Sequence, residues 1–385
     1  MRLLYVHTVP VPSQAANSVQ VAKMCQAFRV AGAEVTLAVP KAGMGRVSHY
    51  KELAKVYGLD EAHSFEIMPL PFPRLPAREL LFGVLASLNH GRGSDRIVYT
   101  RSVSVASAAA MGGRNVVLEM HVSATAFRQR NIRRLSDLAR SPRLIGMVAI
   151  SDRLRQDYEM RYPALTGRIL VAHDGAERAS KVVPKALAGD FRVGYVGQLY
   201  AGKGMEIISE LVKRCPWANF HIVGGLPPDL NYWQAKLAGR TNVTFHGQVP
   251  HSETGAFVEG MDVVLAPYLR IVRGVGGGEQ NLAEWMSPLK IFEYMSRGKP
   301  MIASDLEVLR EVLRDGENAL LRAPEDIGAW AAALDRLRND ETLRHRIGNQ
   351  AQQDFLSCYT WEQRARSILD AIGAALSRSL STSRA

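Results

Sequence analysis

Ser287-Pro288-Leu289-Lys290-Ile291-Phe292-Glu293-Tyr294-Met295, closed by Gly298 and followed by Lys299-Pro300-Met301-Ile302-Ala303-Ser304, decides the reading of this chain. It spells a helix followed by a buried strand. Ser287 suits an N-cap, and Pro288 suits the first helical position, where its missing N–H costs nothing. Gly298 suits the residue after the C-cap, and the run Met301–Ala303 is apolar. The first turn then presents unpaired amides, the positive end of the helix dipole and the Lys290 ammonium, which together make an anion site. Glu293, three residues on, shares the Lys290 face. A cation for phosphate beside a carboxylate for hydroxyls suits a nucleotide-sugar. The plainer alternative is a solvated helix salt bridge of little energetic worth.

Outward from this stretch, short β-branched runs alternate with helical patterns, which predicts parallel sheets covered by helices on both faces. The first series of strands is Leu3–Thr8, Glu34–Val39, Phe65–Pro69, Arg96–Thr100, Val116–Met120, Gly146–Ile150 and Ile169–Ala172. Helices fall near Ser18–Ala31, Ala77–Asn89, Ser123–Arg140 and Asp152–Arg161. The polar run Asp174–Gly189 reads as a linker. A second series has strands at Arg192–Val196, Asn219–Val223, Val243–His246, Asp262–Ala266 and Pro300–Ala303. Its helices lie near Gly204–Lys213, Leu230–Ala238, Ser252–Glu259 and Leu289–Arg297. From Pro324 the chain is mainly helical, and Thr360-Trp361-Glu362-Gln363 is a capping-box pattern. The expected fold class is α/β with two doubly wound, Rossmann-like domains, 1–185 and 186–359, and a last helix over 360–385. Such domains leave ligands at the carboxyl ends of their strands, facing the cleft between them.

Other segments add chemistry at those strand ends. Phe191-Arg192-Val193-Gly194-Tyr195-Val196-Gly197-Gln198-Leu199-Tyr200-Ala201-Gly202-Lys203-Gly204 is a buried strand, a glycine-rich turn and a helix start. Glycines admit a phosphate close to the backbone, and Lys203 adds a point charge. Ile222-Val223-Gly224-Gly225 ends the next strand, and Thr244-Phe245-His246-Gly247-Gln248-Val249 the one after. Val117-Leu118-Glu119-Met120-His121 ends a first-half strand in a polar pair, and Arg101 follows another. Arg270–Ala283, with Gly274 and Gly276 to Gly278, reads as a mobile loop of the kind that acts as a lid.

The 287–304 segment and the 191–204 turn resemble the donor site of the family-4 retaining glycosyltransferases, which have the GT-B fold. The resemblance covers most of the chain and is strongest over 191–322. Glu293 matches the second of two family glutamates, which implies that it binds ribose hydroxyls; Trp285 stands where the first would be. A subset of the family carries a Ser-Pro-Leu-Lys version of this helix, and the chain resembles that subset. Lys203 and Gly204 match the family's diphosphate-gripping turn, with Gln198 in place of its arginine, so Lys290 or an arginine of the Arg270/Arg273 loop would take over that charge. Gly197 and Gly225 fall at the family's nucleotide-binding turns. Backbone at Met286–Leu289 would face the sugar. His121 matches a histidine that contacts the donor sugar, which makes His121, Lys203 and Glu293 the catalytic candidates. Asn17 and Gln20, on a loop and helix capped by Asn17 or Ser18 where the family has paired glycines and this chain has Ala15-Ala16, are acceptor-side candidates with Arg101. The resemblance also implies that the first domain takes the acceptor, that the second takes the donor, and that the last helix crosses back onto the first.

The implied reaction is transfer of a hexosyl-type group with retention to a glycan, lipid-linked or small-molecule acceptor, as in polysaccharide biosynthesis. A nucleotide-sugar epimerase and a non-catalytic nucleotide-sugar binder are the alternatives. No Asp-x-Asp motif, Walker loop, metal-ligand cluster or nucleophilic triad is present, so no cofactor and no metal are expected. Three separated cysteines, Cys25, Cys215 and Cys358, match no disulfide framework and suggest a reducing cytoplasm. The apolar run at the N-terminus is too short for a signal peptide.

The 385 residues carry a net charge of +11, and its distribution is uneven. Residues 1–185 hold 26 Lys+Arg against 14 Asp+Glu, whereas residues 186–385 hold 22 against 23. Arg128, Arg130, Arg133, Arg134, Arg140 and Arg143 concentrate the excess around one helix. Such a patch attracts an anionic membrane or a phosphorylated acceptor, or merely solubilises. Without interleaved aromatics it does not read as a nucleic-acid site. The expected location is the cytoplasm, with peripheral contact at the inner face of the membrane.

Overall fold

A computed structural model describes residues 1–13, 16–41, 50–72, 77–89, 96–274 and 280–382. Ala15 and residues 276–278, named above, lie outside the described residues. The chain forms two compact units, Met1–Asp174 with Trp361–Ala385, and Gly175–Thr360. The division falls at Asp174/Gly175, whereas the sequence reading put it at 185/186. Residues 175–185 go with the second unit because Ala176 N–H donates to Tyr359 O (3.1 Å) and Lys185 N–H to Ala256 O (2.8 Å).

The first unit runs β1 (Arg2–Val6), α1 (Ala16–Val30), β2 (Glu34–Pro40), α2 (Tyr50–Tyr57), β3 (Glu66–Leu70), α3 (Arg78–Asn89), β4 (Arg96–Thr100), α4 (Val103–Met111), β5 (Asn115–Met120), α5 (Gln129–Arg140), β6 (Leu144–Ala149), α6 (Asp152–Arg161) and β7 (Ile169–Val171). Its strands form one parallel sheet in the order β3-β2-β1-β4-β5-β6-β7. Strands covered on both faces read as continuous apolar runs, as in Leu3-Leu4-Tyr5-Val6, all buried.

The second unit runs β8 (Arg192–Val196), α7 (Met205–Arg214), β9 (Asn219–Val223), α8 (Pro227–Lys236), β10 (Val243–Gly247), α9 (His251–Glu259), β11 (Val263–Ala266), α10 (Leu289–Ser296), β12 (Met301–Ser304), β13 (Leu320–Arg322), α11 (Ile327–Asn339) and α12 (Glu341–Cys358). Its parallel sheet is ordered β10-β9-β8-β11-β12-β13. Side chains alternate across it: Val263 and Leu265 pack with α7 and α11, Val264 and Ala266 with α9, α10 and α12. The last helix, α13 (Trp361–Thr382), returns to the first unit, packing on α1 and β6. It begins directly after Thr360, and Trp361, Ala365, Ile368 and Ile372 make its buried stripe.

Several local expectations need correction. Ser287 is not the N-cap of α10: that position is Pro288, which offers no side-chain cap, and Leu289 is the first helical residue. At the other end Gly298 N–H bonds Met295 O and Lys299 N–H bonds Tyr294 O, the paired closure expected of a glycine there. Neither Asn17 nor Ser18 caps α1, since the helix already includes both. The helix read over 123–140 is broken: Ser123 caps a short turn at Ala124–Ala126, Phe127 and Arg128 are extended, and α5 starts at Gln129. The helix α4 was not anticipated. Its sequence, Val-Ser-Val-Ala-Ser-Ala-Ala-Ala-Met, is small and apolar all round, so it carries no 3.6-residue period, and seven of its residues are buried. No helix among the described residues is long and apolar enough to cross a membrane.

Candidate active site

In each sheet the strand order reverses at one point, between β8 and β11 in the second unit and between β1 and β4 in the first. Carboxyl ends of the strands flanking such a point form a crevice suited to a ligand. The second unit places the turn Gly197–Gly204, the Tyr268 ring after β11 and the start of α10 there.

Lys290 is the central feature. Its Nζ is fully buried, has no hydrogen-bond partner, and lies 3.7 Å from the Tyr195 ring centre and 5.2 Å from that of Tyr268. Lys203 Nζ shares the Tyr268 ring at 5.4 Å and lies 5.3 Å from Tyr200. Burial lowers the Lys203 pKa to about 8. Burial first, and then the Lys203 charge, push that of Lys290 well below its usual 10.5, with Glu293 pulling the other way. Magnitudes decide what this means. Cation–π contact contributes roughly 0.5–2 kcal/mol, while removing an ammonium from water costs several kcal/mol even after relaxation. The rings therefore offset only part of the cost, and two adjacent buried cations call for an anion. Lys290 and Glu293 do not form the helix salt bridge; the basic group closest to Glu293 in an ion-pair sense is His251, at 4.0 Å.

The surrounding chain holds these groups in place. Tyr195 Oη donates to Gln198 O (2.6 Å) and approaches Lys203 O (3.1 Å), and Trp233 Nε1 donates to Leu199 O (3.0 Å), fixing the turn. Val196 N–H donates to Tyr294 Oη (2.8 Å), tying α10 to the end of β8. Gly204 starts α7 at φ +110°, where an added Cβ would run into the Pro267 carbonyl. At Gly197 a Cβ would sit 2.8 Å from Lys290 Nζ, so glycine there leaves room for the ammonium. Gln198 Oε1 is buried without a partner. Gly224 N–H bonds Gly247 O (2.7 Å), and Gly225 lies against Leu199. Ser287 is buried, and Pro288 and Leu289 are half-buried at the helix start. Arg270 does not take over the missing arginine's charge; it pairs with Glu325 at 2.6 Å on the surface.

In the first unit, Glu119 is completely buried and surrounded by donors. Its Oε1 accepts from His121 Nε2 (2.6 Å), Gln20 Nε2 (2.8 Å) and Arg364 (3.1 Å), and its Oε2 from Tyr99 Oη. Burial alone would raise the carboxyl pKa, but Arg364, His121 and Arg101 hold it well below the usual range. An ionised carboxylate only accepts, so His121 carries its proton on Nε2 and presents Nδ1 as an acceptor. Burial and Arg101 lower the His121 pKa, against the pull of Glu119, which keeps the ring neutral. Arg101 donates to Gln20 Oε1 at 3.1 Å. Thus Gln20, Arg101 and His121 fall in one network, while Asn17 contacts Ser18 at 3.5 Å outside it. Glu119, His121 and Asp174 also bring three potential metal-ligand atoms within 4.8 Å of one another. Arg364 lies against two of them, at 3.1 Å from Glu119 and 3.9 Å from Asp174.

The sequence reading missed Tyr195 and Tyr268, which look like ordinary core aromatics, and Arg364. One signal for Arg364 was available: it is a charged residue on the apolar stripe of α13.

Residues 190–340 match the family described as "Glycosyl transferases group 1". A phosphatidyl-myo-inositol mannosyltransferase of Mycolicibacterium smegmatis is 31% identical over 213 residues, 52% of this chain and 50% of that protein. A D-inositol 3-phosphate glycosyltransferase of Corynebacterium urealyticum is 25% identical over 239 residues, 56% of this chain and 53% of that protein. The chain thus spans about half the length of these curated relatives. Among solved structures, Anabaena HepE in complex with UDP superposes with a TM-score of 0.72 at 16% identity, covering 97% of this chain and 100% of that one. Sucrose-phosphate synthase from Thermosynechococcus elongatus gives 0.74 at 16% identity, covering 99% of each chain. The fold is therefore GT-B, two parallel-sheet Rossmann-like domains, and residues 190–340 are similar to the group 1 glycosyl transferases.

Proposed function

We propose that the protein is a glycosyltransferase that moves a sugar from a nucleotide diphosphate sugar to an acceptor hydroxyl with retention of configuration and without a metal. The observation that carries this is the pair of buried, mutually repelling ammonium groups of Lys203 and Lys290 over one tyrosine ring at the start of α10. A diphosphate supplies the two negative charges this arrangement lacks. The bond from the anomeric carbon to the diphosphate oxygen breaks, and the acceptor oxygen bonds that carbon. The acceptor proton passes to the leaving diphosphate, whose charge the lysines and the helix N-terminus stabilise. Glu293 would hold ribose hydroxyls, and His121 Nδ1 would accept from a sugar hydroxyl. The names of the relatives and the UDP in the HepE structure support a nucleotide-sugar donor; retention rests on the family resemblance. Proton NMR of fresh product should show the retained anomer, formed equally with a chelator present. Inverted product, or turnover restored only by Mg²⁺ or Mn²⁺, contradicts the mechanism. Binding without turnover would make the protein a nucleotide-sugar binder.

For the acceptor, α5 and its flanks supply the supporting observation. Arg128, Arg130, Arg133, Arg140 and Arg143 are exposed and have no ion-pair partner among the described residues. An anionic headgroup, lipid-linked acceptor or bilayer surface fits this face. Replacing Arg130, Arg133 and Arg134 with Ser should lower vesicle binding or turnover of a lipid-phosphate acceptor while donor affinity holds. Unchanged values would leave the patch merely solubilising.

A further inference from the structure

We propose that Arg364, brought by the C-terminal helix α13, is a positioning residue that fixes which nitrogen of His121 faces the substrate, acting through Glu119. The inference rests on the proposed role of His121 in turnover.

Arg364 is 3% exposed, and two of its three guanidinium nitrogens are bonded, while Nη1 is buried without a hydrogen-bond partner. Nε donates to His173 O (2.8 Å), and one terminal nitrogen donates to Ala172 O (3.2 Å) and to Glu119 Oε1 (3.1 Å). Those carbonyls follow β7, so the arginine joins α13 to the strand end and to the network at the same time. Of the four donors on Glu119, Arg364 is the one that touches it with a permanent full charge. Tyr99 and Gln20 are neutral, and His121 is neutral by burial and by Arg101. The remaining charged neighbours are Arg101, which reaches Glu119 only across Gln20, and Asp174, which lies 3.9 Å from Arg364 and 3.5 Å from Gln20 Nε2.

The consequence is a matter of protons. A buried carboxylate that loses its contacting cation tends to bind a proton. A protonated Glu119 can donate to His121 Nε2, and the ring then carries its own proton on Nδ1. The nitrogen directed away from Glu119 changes from acceptor to donor, and a sugar hydroxyl that donated to it loses its partner. Lysine in place of Arg364 keeps the charge but cannot span two carbonyls and a carboxylate in one plane.

Nitrogen-15 histidine NMR on the full chain, without substrate, reads the tautomer directly. The wild type should show His121 protonated at Nε2 only, and a wild-type ring protonated at Nδ1 overturns the proposal even if no variant folds. In folded Arg364→Gln the His121 signal should move toward the Nδ1–H form; an unmoved signal overturns it too. Turnover should fall about tenfold or more in Arg364→Gln with the donor KM within about twofold, and the further loss on adding Arg364→Gln to His121→Ala should be less than about twofold. Equal losses in both backgrounds would make Arg364 purely structural. Because the tautomer is read without substrate, absence of transfer would count against the functional reading and leave this link standing.

Discussion

Lys290→Met should remove most turnover and nucleoside diphosphate affinity while leaving the nucleotide-free protein as stable as the wild type or more so. Methionine keeps the length of the side chain over Tyr195 and removes a buried ammonium that has no hydrogen-bond partner. Loss of one preorganised group facing developing charge lowers the rate by about 10²–10³. Removal of an uncompensated buried charge is expected to raise stability by roughly 1 kcal/mol or more. Kinetics with a nucleotide-sugar and thermal unfolding without ligand measure the two effects. A variant that unfolds earlier yet keeps its diphosphate affinity would show that Lys290 is a structural residue.

Glu119→Ala should have the opposite character. It strips one acceptor from Arg364, Gln20, His121 and Tyr99 at once, and leaves the Arg364 charge buried with only Asp174 and two carbonyls near it. Breaking a buried ion pair from one side costs about 3–5 kcal/mol. Denaturant unfolding should show that loss, and Glu119→Gln, which keeps an acceptor, should lose less. A loss below about 1 kcal/mol in the alanine variant would mean that the network relaxes freely and does not fix its members.

Much of this architecture was legible in the residues. Arg96–Thr100, Arg192–Val196 and Asn219–Val223 were read with the boundaries the structure has, because apolar runs between turn residues define buried parallel strands without any tertiary knowledge. β13, of three residues, and α4, which has no polar face to give it a period, were not legible. The N-cap of α10 was misplaced by one residue, since Ser-Pro fits Ncap-N1 by preference, yet the helix begins at Leu289.

Site residues divide the same way. Lys203, Lys290 and Glu293 stood out through helix starts and glycine turns, which are local signals. Tyr195 and Tyr268 make their contacts with elements far apart in sequence, and no local spacing announces them; Arg364 had only its place on the apolar stripe of α13 to mark it. The sequence could place Lys290 at a helix start but could not show that its ammonium is buried without a hydrogen-bond partner, which is the observation on which the proposed anion site rests.

Protonation ties the lysines to ligand binding with a definite sign. With the folded-state pKa of Lys203 lowered to about 8 from 10.5, the unfolded chain binds more protons between those values, so stability of the nucleotide-free protein rises with pH across that window. Binding a diphosphate favours the charged lysines and raises their pKa values, so above pH 8 the complex must take up protons. Calorimetric titration of UDP at about pH 8.5, in buffers of different ionisation enthalpy, measures that uptake directly. Net proton uptake that shrinks in Lys203→Ala is the predicted result. Binding of UDP with no dependence on the buffer would contradict a diphosphate site built from these two lysines.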